Sequence, residues 1–302
     1  MRSTLLDMLT YCRPMGSRAE RQFRKRFLLS LPGAVTDPWG NIHITVGPVP
    51  TVLWSCHTDT VHRASGRQRV IVEASEGQPW ARLPEGSRSS CLGADDTVGC
   101  YLMREMILQR VPGEYVFHWG EDRGGIGSRA LVAARPQWAS QFLAAIALDR
   151  QDEGDIITHQ ASGRTCSDTF AWSLADALKD AGLGGYAPTE GVYTDTAEYA
   201  DIVPECTNLS VGYRWQHSEV ECVNLAHVDR LLGALCDLDW ATLTVERDPS
   251  VPDLDRYRDW PSEGLEDASE DDDDLVALYQ RYSGGNFAPW WDRRGRVARF
   301  DR

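Results

Sequence analysis

The chain has no run of 18 apolar residues, so no transmembrane helix is expected. Its first residues, Met1-Arg-Ser-Thr-Leu-Leu-Asp-Met8, place an acid early in their apolar stretch and lack the apolar core of a secretion signal. A cytoplasmic protein is the expectation. The eight cysteines, at 12, 56, 91, 100, 166, 206, 222 and 236, contain no CxxC pair. They read as reduced, mostly buried thiols and not as a disulfide framework. Positive charge is scarce, with a formal net charge of −14. An acidic body argues against a nucleic-acid partner. Lysine is almost missing, at two residues (Lys25 and Lys179) against 29 arginines, which reads as codon usage and not as function.

What is present is ordinary for a globular protein. The 302 residues suffice for one large α/β domain or two small ones. The charge is unevenly spread. Residues 246–274 carry 13 acids against three arginines, and residues 275–302 carry six arginines against two aspartates. A stretch ending Glu-Asp-Ala-Ser-Glu-Asp-Asp-Asp-Asp cannot bury a core, so 246–274 is expected to be an acidic disordered linker. Residues 275–302 follow as a short helix and a Trp/Arg-rich tail able to dock a protein partner. The body is residues 1–245.

That body is organised around Val116-Phe-His-Trp-Gly-Glu-Asp-Arg-Gly-Gly-Ile-Gly-Ser128. The spacing predicts a buried strand over 115–119, then the adjacent carboxylates Glu121 and Asp122, a glycine-rich turn, and a helix stopped by Pro136. Taken alone, a Glu-Asp pair is more often a solvated turn. At the end of a buried strand the two charges repel unless a cation sits beside them. Other strand ends carry matching residues. The apolar run 51–56 ends in His57-Thr-Asp59, where a carboxylate two residues on can orient a metal-binding imidazole. Asp95-Asp96 opens a helix. One of the pair is expected to serve its first turn, but both together after Leu-Gly-Ala favour metal binding. The strand 142–148 ends in Asp149. The last core strand, 207–212, leads to Tyr213-Arg-Trp-Gln-His217. Residues 63–90 hold a hairpin. His43 is expected on the surface of its strand, His62 to be incidental, and His227 to be structural or exposed. His57, Asp95, Asp122, Asp149 and His217 can converge at the ends of strands in an open α/β sheet. Two histidines and three carboxylates match the ligands zinc accepts, and a bridging carboxylate allows two metals roughly 3.5–4 Å apart.

These residues resemble the co-catalytic zinc aminopeptidases and related exopeptidases, the superfamily that includes the M28, M20 and M42 peptidases. The resemblance covers about residues 4–240 and rests on HTDT at 57–60, GADDTVG at 93–99, GEDRGGIGS at 120–128, ALD at 147–149 and GYRWQHSEVE at 212–221. It implies an α/β fold, a three-layer α/β/α sandwich with a central mixed, mainly parallel sheet, as in zinc exopeptidases and phosphorylase/hydrolase-like proteins. His57 and Asp149 would each bind one of two metals, with Asp59 orienting His57. Asp95 would bridge both, with a cis Asp95–Asp96 peptide. Glu121 would be the general base, and Asp122 and His217 would complete the second site. The family usually has Glu at the position of Asp122. Between His57 and Asp95 lie 37 residues, and between Asp149 and His217 lie 67, too few for an inserted lid or dimerisation domain. The chain therefore looks most like the M28 type, with an M42 flavour in HSEVE and at Gly40-Asn41.

The implied activity is two-metal amide hydrolysis by an aminopeptidase acting on peptides, with two divalent ions, zinc or else cobalt or manganese. Asp195 or Glu198 would meet the substrate's amino group, and Trp54, Trp119, Tyr213 and Trp215 would line the pocket. The alternatives are a carboxypeptidase, dipeptidase or N-acyl amino acid deacylase on the same scaffold, or a metal-bearing but inactive peptide-binding protein.

Overall fold

Alternation along one strand sets the layers. The computed structural model describes residues 2–251 apart from 76, 161 and 162. The apolar run expected at 51–56 is the strand Val52–His57, buried at every position. Val52, Trp54 and Cys56 point into one apolar cluster and Leu53 into a second on the opposite face. Tyr115 and Phe117 divide from Val116 in the same way, and Ile146 and Leu148 from Ala145. The helices Arg2–Leu9, Ala94–Leu108, Asp168–Asp180 and Leu225–Asp237 cover the first face. Ile126–Ala134, Pro136–Ala139 and the short 3₁₀ turn Asp195–Tyr199 cover the second. A strand buried on both faces can afford no polar alternation, which is why its sequence is an almost unbroken apolar run.

The central sheet is mixed. Its four middle strands, in the order Glu205–Ser210, Ala144–Arg150, Val52–His57 and Gly113–His118, are mutually parallel. An antiparallel pairing bounds this block on each side. Asp37-Pro-Trp-Gly-Asn41 folds the chain back, so that Val35–Thr36 and Ile42–Val46 pair antiparallel and the latter pairs antiparallel to Gly113–His118. On the other side, Asp155–Gln160 runs antiparallel to Glu205–Ser210. Beyond it Ala187–Glu190 pairs parallel to Asp155–Gln160, so the four-stranded parallel block that carries the candidate site residues has an antiparallel pairing on each side.

The hairpin expected within 63–90 is Ile71–Ser75 and Gln78–Arg82, but it does not stand alone. It continues through Cys222–Asn224 and Tyr213–Arg214 into a second, four-stranded sheet. Pairing between segments some 140 residues apart leaves no local pattern in the sequence, and it fixes the loop carrying His217. The Ser17 hydroxyl caps Arg18–Phe23 by accepting the Glu20 N–H at 3.1 Å. The Glu20 carboxylate does not return to Ser17. It takes the Gly16 N–H at 2.5 Å and the Thr58 hydroxyl at 2.8 Å, tying the amino-terminal segment to the turn after His57.

All eight cysteines are free, seven of them buried. No helix among the described residues is long and apolar enough to cross a membrane. Attachment to the body runs on to Glu246 and Arg247, two residues into the stretch assigned to the acidic linker. Their backbone N–H groups donate to Glu205 at 2.9 Å. The expected short helix and Trp/Arg-rich tail lie outside the described residues.

Candidate metal centre

Three of the four parallel strands deliver chemistry at their carboxyl ends. His57 is the last residue of Val52–His57, and Asp149 lies near the end of Ala144–Arg150. Glu121 and Asp122 lie on a 3₁₀ turn just past Gly113–His118. Glycines with positive φ, Gly120 and Gly124, flank that turn and let it fold back tightly over the sheet. Asp95 comes from the start of Ala94–Leu108, where the Asp95–Asp96 peptide is cis. His217 comes from the loop between the last two strands of the second sheet.

All five candidate ligands converge. Asp95 lies between the two histidines, with Oδ1 2.9 Å from His57 Nε2 and Oδ2 3.1 Å from His217 Nε2. Asp149 Oδ1 is 3.7 Å from His57 Nε2, and Asp122 Oδ1 is 3.6 Å from His217 Nε2. Glu121 Oε2 stands 4.0 Å from His57 Nε2. His57 is oriented through its other nitrogen. Nδ1 is 3.2 Å from the Asp59 backbone carbonyl and 3.7 Å from its carboxylate, a geometry in which the carbonyl can take an Nδ1–H and leave Nε2 available to a cation. The Asp59 carboxylate does something else: Oδ1 accepts the Gly120 N–H at 3.0 Å and pins the turn that carries Glu121.

The neighbouring acids separate by what they touch. His57 with Asp59 and Asp122, and His57 with Asp96 and Asp149, each offer donor atoms within 4.8 Å of one another, a spacing that suits a divalent cation. Asp96 is committed elsewhere. Its carboxylate accepts the Gly99 N–H at 2.8 Å and the His57 N–H at 3.2 Å, the helix-start role expected of one of the pair. That leaves Asp95 as the member whose carboxylate faces the histidines. Tyr213 and Thr194 donate to the two oxygens of Asp149, at 3.3 and 2.8 Å, and hold it in place. Glu221 accepts the Gly93 and Asp95 N–H groups at 2.8 and 3.0 Å. Glu221, Thr194 and Asn41 were not assigned roles from sequence, although HSEVE and Gly40-Asn41 marked the first and the last.

Electrostatics single out a site short of positive charge. Burial pushes Asp122 up to about 7, and Asp195 up to about 8, each with neighbouring carboxylates adding to the effect. Burial also drives Glu121 well above the ordinary carboxylate range, with the charges of Asp149, Asp195 and Asp122 adding and His57 opposing. Burial opposes protonation of His217, yet its bond to Asp95 carries it up to about 9. Asp95 goes the other way: burial works against its charge, but both histidines overcome that and depress it. The Oδ2 atoms of Asp59, Asp122 and Asp195 are buried without a hydrogen-bond partner among the described residues. Unpartnered carboxylate oxygens beside two imidazoles are the donor set a divalent cation requires, and the residues present fit such an ion.

Several secondary expectations sort cleanly. Tyr213 reaches the centre through Asp149, and Trp215 is 59% exposed. Trp54 is fully buried against Tyr115 and Trp240 and is core. Glu198 is taken by Arg129 and by the Tyr193 hydroxyl, both at 2.9 Å, whereas Asp195 accepts only from Ser128. His62 is buried between Thr60 and Gln68, and His227 is buried against Tyr186. His43 is not on the surface. It is buried between Asp37 and Glu114, whose carboxylates supply the partners that a buried imidazole needs.

No family model matches the chain, and no curated protein does. Solved structures do match. A tripeptidase from Staphylococcus aureus superposes with a TM-score of 0.60 at 14% identity, over 78% of this chain and 95% of that one. Aminopeptidase PepT from Bacillus cereus gives 0.57 at 14% identity, over 78% and 96%. The Pyrococcus horikoshii TET1 peptidase, which assembles into a tetrahedron or a large octahedral shell, gives 0.55 at 18% identity, over 78% and 98%. At these identities the likeness is one of fold, and the α/β architecture that places the site is the architecture of these three peptidases over nearly their whole length.

Proposed function

We propose that the chain is a two-metal exopeptidase of the co-catalytic zinc superfamily, acting as an aminopeptidase on peptides. The observation that carries this reading is the division of the Asp95 carboxylate between His57 and His217, each histidine with a further aspartate beside it. One ion would be held by His57, Asp149 and one oxygen of Asp95. The other would be held by His217, Asp122 and the second oxygen of Asp95. Two imidazoles and three carboxylates suit zinc, with cobalt or manganese able to substitute. Bound there, the ions supply Lewis acidity and lower the pKa of a water molecule.

The protein's own groups do the rest. Glu121, buried among acids that favour its proton-bearing form, takes a proton from the attacking water and returns it to the departing amine. Tyr213 and Thr194 keep Asp149 from turning away. Asp195, with its free Oδ2, is better suited than the paired Glu198 to receive the substrate's ammonium group, and this favours an aminopeptidase over an enzyme that must grip an α-carboxylate. Placement in the M28 branch rests on the two intervals of 37 and 67 residues.

The test is elemental analysis of the purified protein followed by a panel of free-amine and N-acylated substrates. Two ions per chain and cleavage of free-amine peptides support the proposal. Turnover confined to N-acyl amino acids would transfer the chain to the deacylases. No metal after equilibration with zinc, cobalt or manganese would leave the inactive peptide-binding protein as the better account.

A further inference from the structure

Asn41 ends the turn at the sheet margin, and its side chain is fully buried. Its Oδ1 accepts the Trp119 N–H at 3.1 Å, and its Nδ2 donates to the Gly127 carbonyl at 3.0 Å. Trp119 and Gly127 are the two ends of the loop that carries Glu121 and Asp122. The carboxamide thus works like an inserted peptide unit, closing a loop whose ends also meet directly, Gly127 N–H to Trp119 carbonyl at 2.9 Å. The amide cannot flip without cost. Its second N–H goes to Asp37 Oδ2 at 2.8 Å, and Asp37 Oδ1 accepts the Asn41 backbone N–H at 2.9 Å. Asp37 is itself fixed, 3.1 Å from His43 Nε2, while His43 Nδ1 lies 3.2 Å from Glu114. Packing leaves no slack, since a Cβ on Gly127 would collide with Asn41 Oδ1 and with the Trp119 carbonyl.

We infer that Asn41 is a positioning residue for the Glu121–Asp122 pair, clamping both ends of their loop so that Asp122 is presented to the His217 half of the centre. The role in metal binding rests on the function proposed above; the clamp itself does not. Groups that orient metal ligands typically contribute about 10–100-fold in affinity, so loosening the clamp acts on one half only.

Three variants test this. Asn41→Ala removes both loop bonds, and Gly127→Ala wedges the amide away from the opposite side. Ser167→Ala deletes a buried hydrogen bond to Glu205 and a helix cap elsewhere in the fold, as a control for general destabilisation. Two readouts are taken on each full-length variant: titration with zinc or cobalt, and hydrogen exchange over residues 119–127, which needs no metal. Both loop variants are expected to speed exchange over 119–127 and to weaken one of two ions about tenfold or more, while Ser167→Ala lowers Tm with both affinities kept. Unchanged exchange in both loop variants would overturn the clamp. Equal weakening of both ions, in step with lost stability as in the control, would overturn its selectivity. A wild type that binds no metal sinks the proposed function, and hydrogen exchange then decides the clamp by itself.

Discussion

Glu221 holds Asp95 by its backbone: one carboxylate oxygen accepts the Asp95 N–H at 3.0 Å, and the other accepts the Gly93 N–H at 2.8 Å. The contact joins the end of the His217 loop to the turn that presents Asp95. Glu221→Gln keeps the shape but sets an NH₂ group against one of those two N–H donors. A buried donor left without an acceptor costs about 1–3 kcal/mol, so Tm should fall. Metal affinity should fall with it, by about tenfold or more, because Asp95 serves both halves. Calorimetric titration of the variant with zinc checks this, and an unchanged affinity would show that the turn holds Asp95 without help.

Why Glu221 and Asn41 escaped the sequence is a matter of what they bind. Their partners on the loops of the site are backbone N–H and C=O groups, which every residue has, so no residue type marks the contact. His57, Glu121 and Asp149 were legible because each ends an apolar run, and a polar residue there must be doing something other than packing. Residue type alone does not choose between Asp95 and Asp96, since two adjacent aspartates differ only in where the backbone aims them; the resemblance to the exopeptidases made that choice. His43 was misjudged because alternation in Ile-His-Ile-Thr-Val marks a solvent-facing side chain. Its partner Glu114 stands 71 positions away on the neighbouring strand, and only the sheet order reveals it.

If Asp95 is shared between the two ions as proposed, its removal is more damaging than that of any other proposed ligand. Asp95→Ala should lose both ions, whereas Asp122→Ala should lose mainly the one on the His217 side. Glu121→Gln should keep both ions and lose turnover, because an amide cannot carry the proton from water to the departing amine. Metal content and rate measured on the same preparations separate these cases. Normal turnover in Glu121→Gln would sink the assignment of the general base.

The Asp37–His43–Glu114 cluster should make stability depend on pH in a stated direction. Burial works to lower the His43 pKa, but hydrogen bonds and charge from Asp37 and Glu114 overcome it and raise the value above that of a free histidine. Burial likewise opposes the Asp37 charge, and the bonds from His43 and Asn41 overcome that and lower its pKa. For His43 the stabilisation is complete below the unfolded value of about 6.5 and fades as pH rises through the folded one. For Asp37 it is present above the unfolded value of about 3.9 and fades as pH falls. The difference in Tm between wild type and His43→Gln should therefore be largest from about pH 4 to 6.5 and shrink toward higher pH. A difference that stays flat, or grows above neutrality, would mean that His43 is held neutral and contributes by packing alone.

The last attachment of the described chain sets where it can be cut. Glu205 is fully buried and accepts four bonds, two from Ser167 and two from the backbone N–H groups of Glu246 and Arg247. The Arg247 guanidinium donates to the carbonyls of Ala200, Val203 and Pro204, the end of the segment that supplies Thr194 and Asp195. A chain ending after Val251 keeps all of these contacts. A chain ending after Val245 leaves a buried carboxylate with half its donors and three carbonyls without their cation. Each buried group so exposed costs about 1–3 kcal/mol, and about 1 kcal/mol moves Tm by about 2–4 °C in a body of this size. The chain ending after Val245 should thus melt several degrees below the chain ending after Val251. Equal melting temperatures for the two truncations in a calorimetric scan would show that residues 246 and 247 merely lie against the body without holding it.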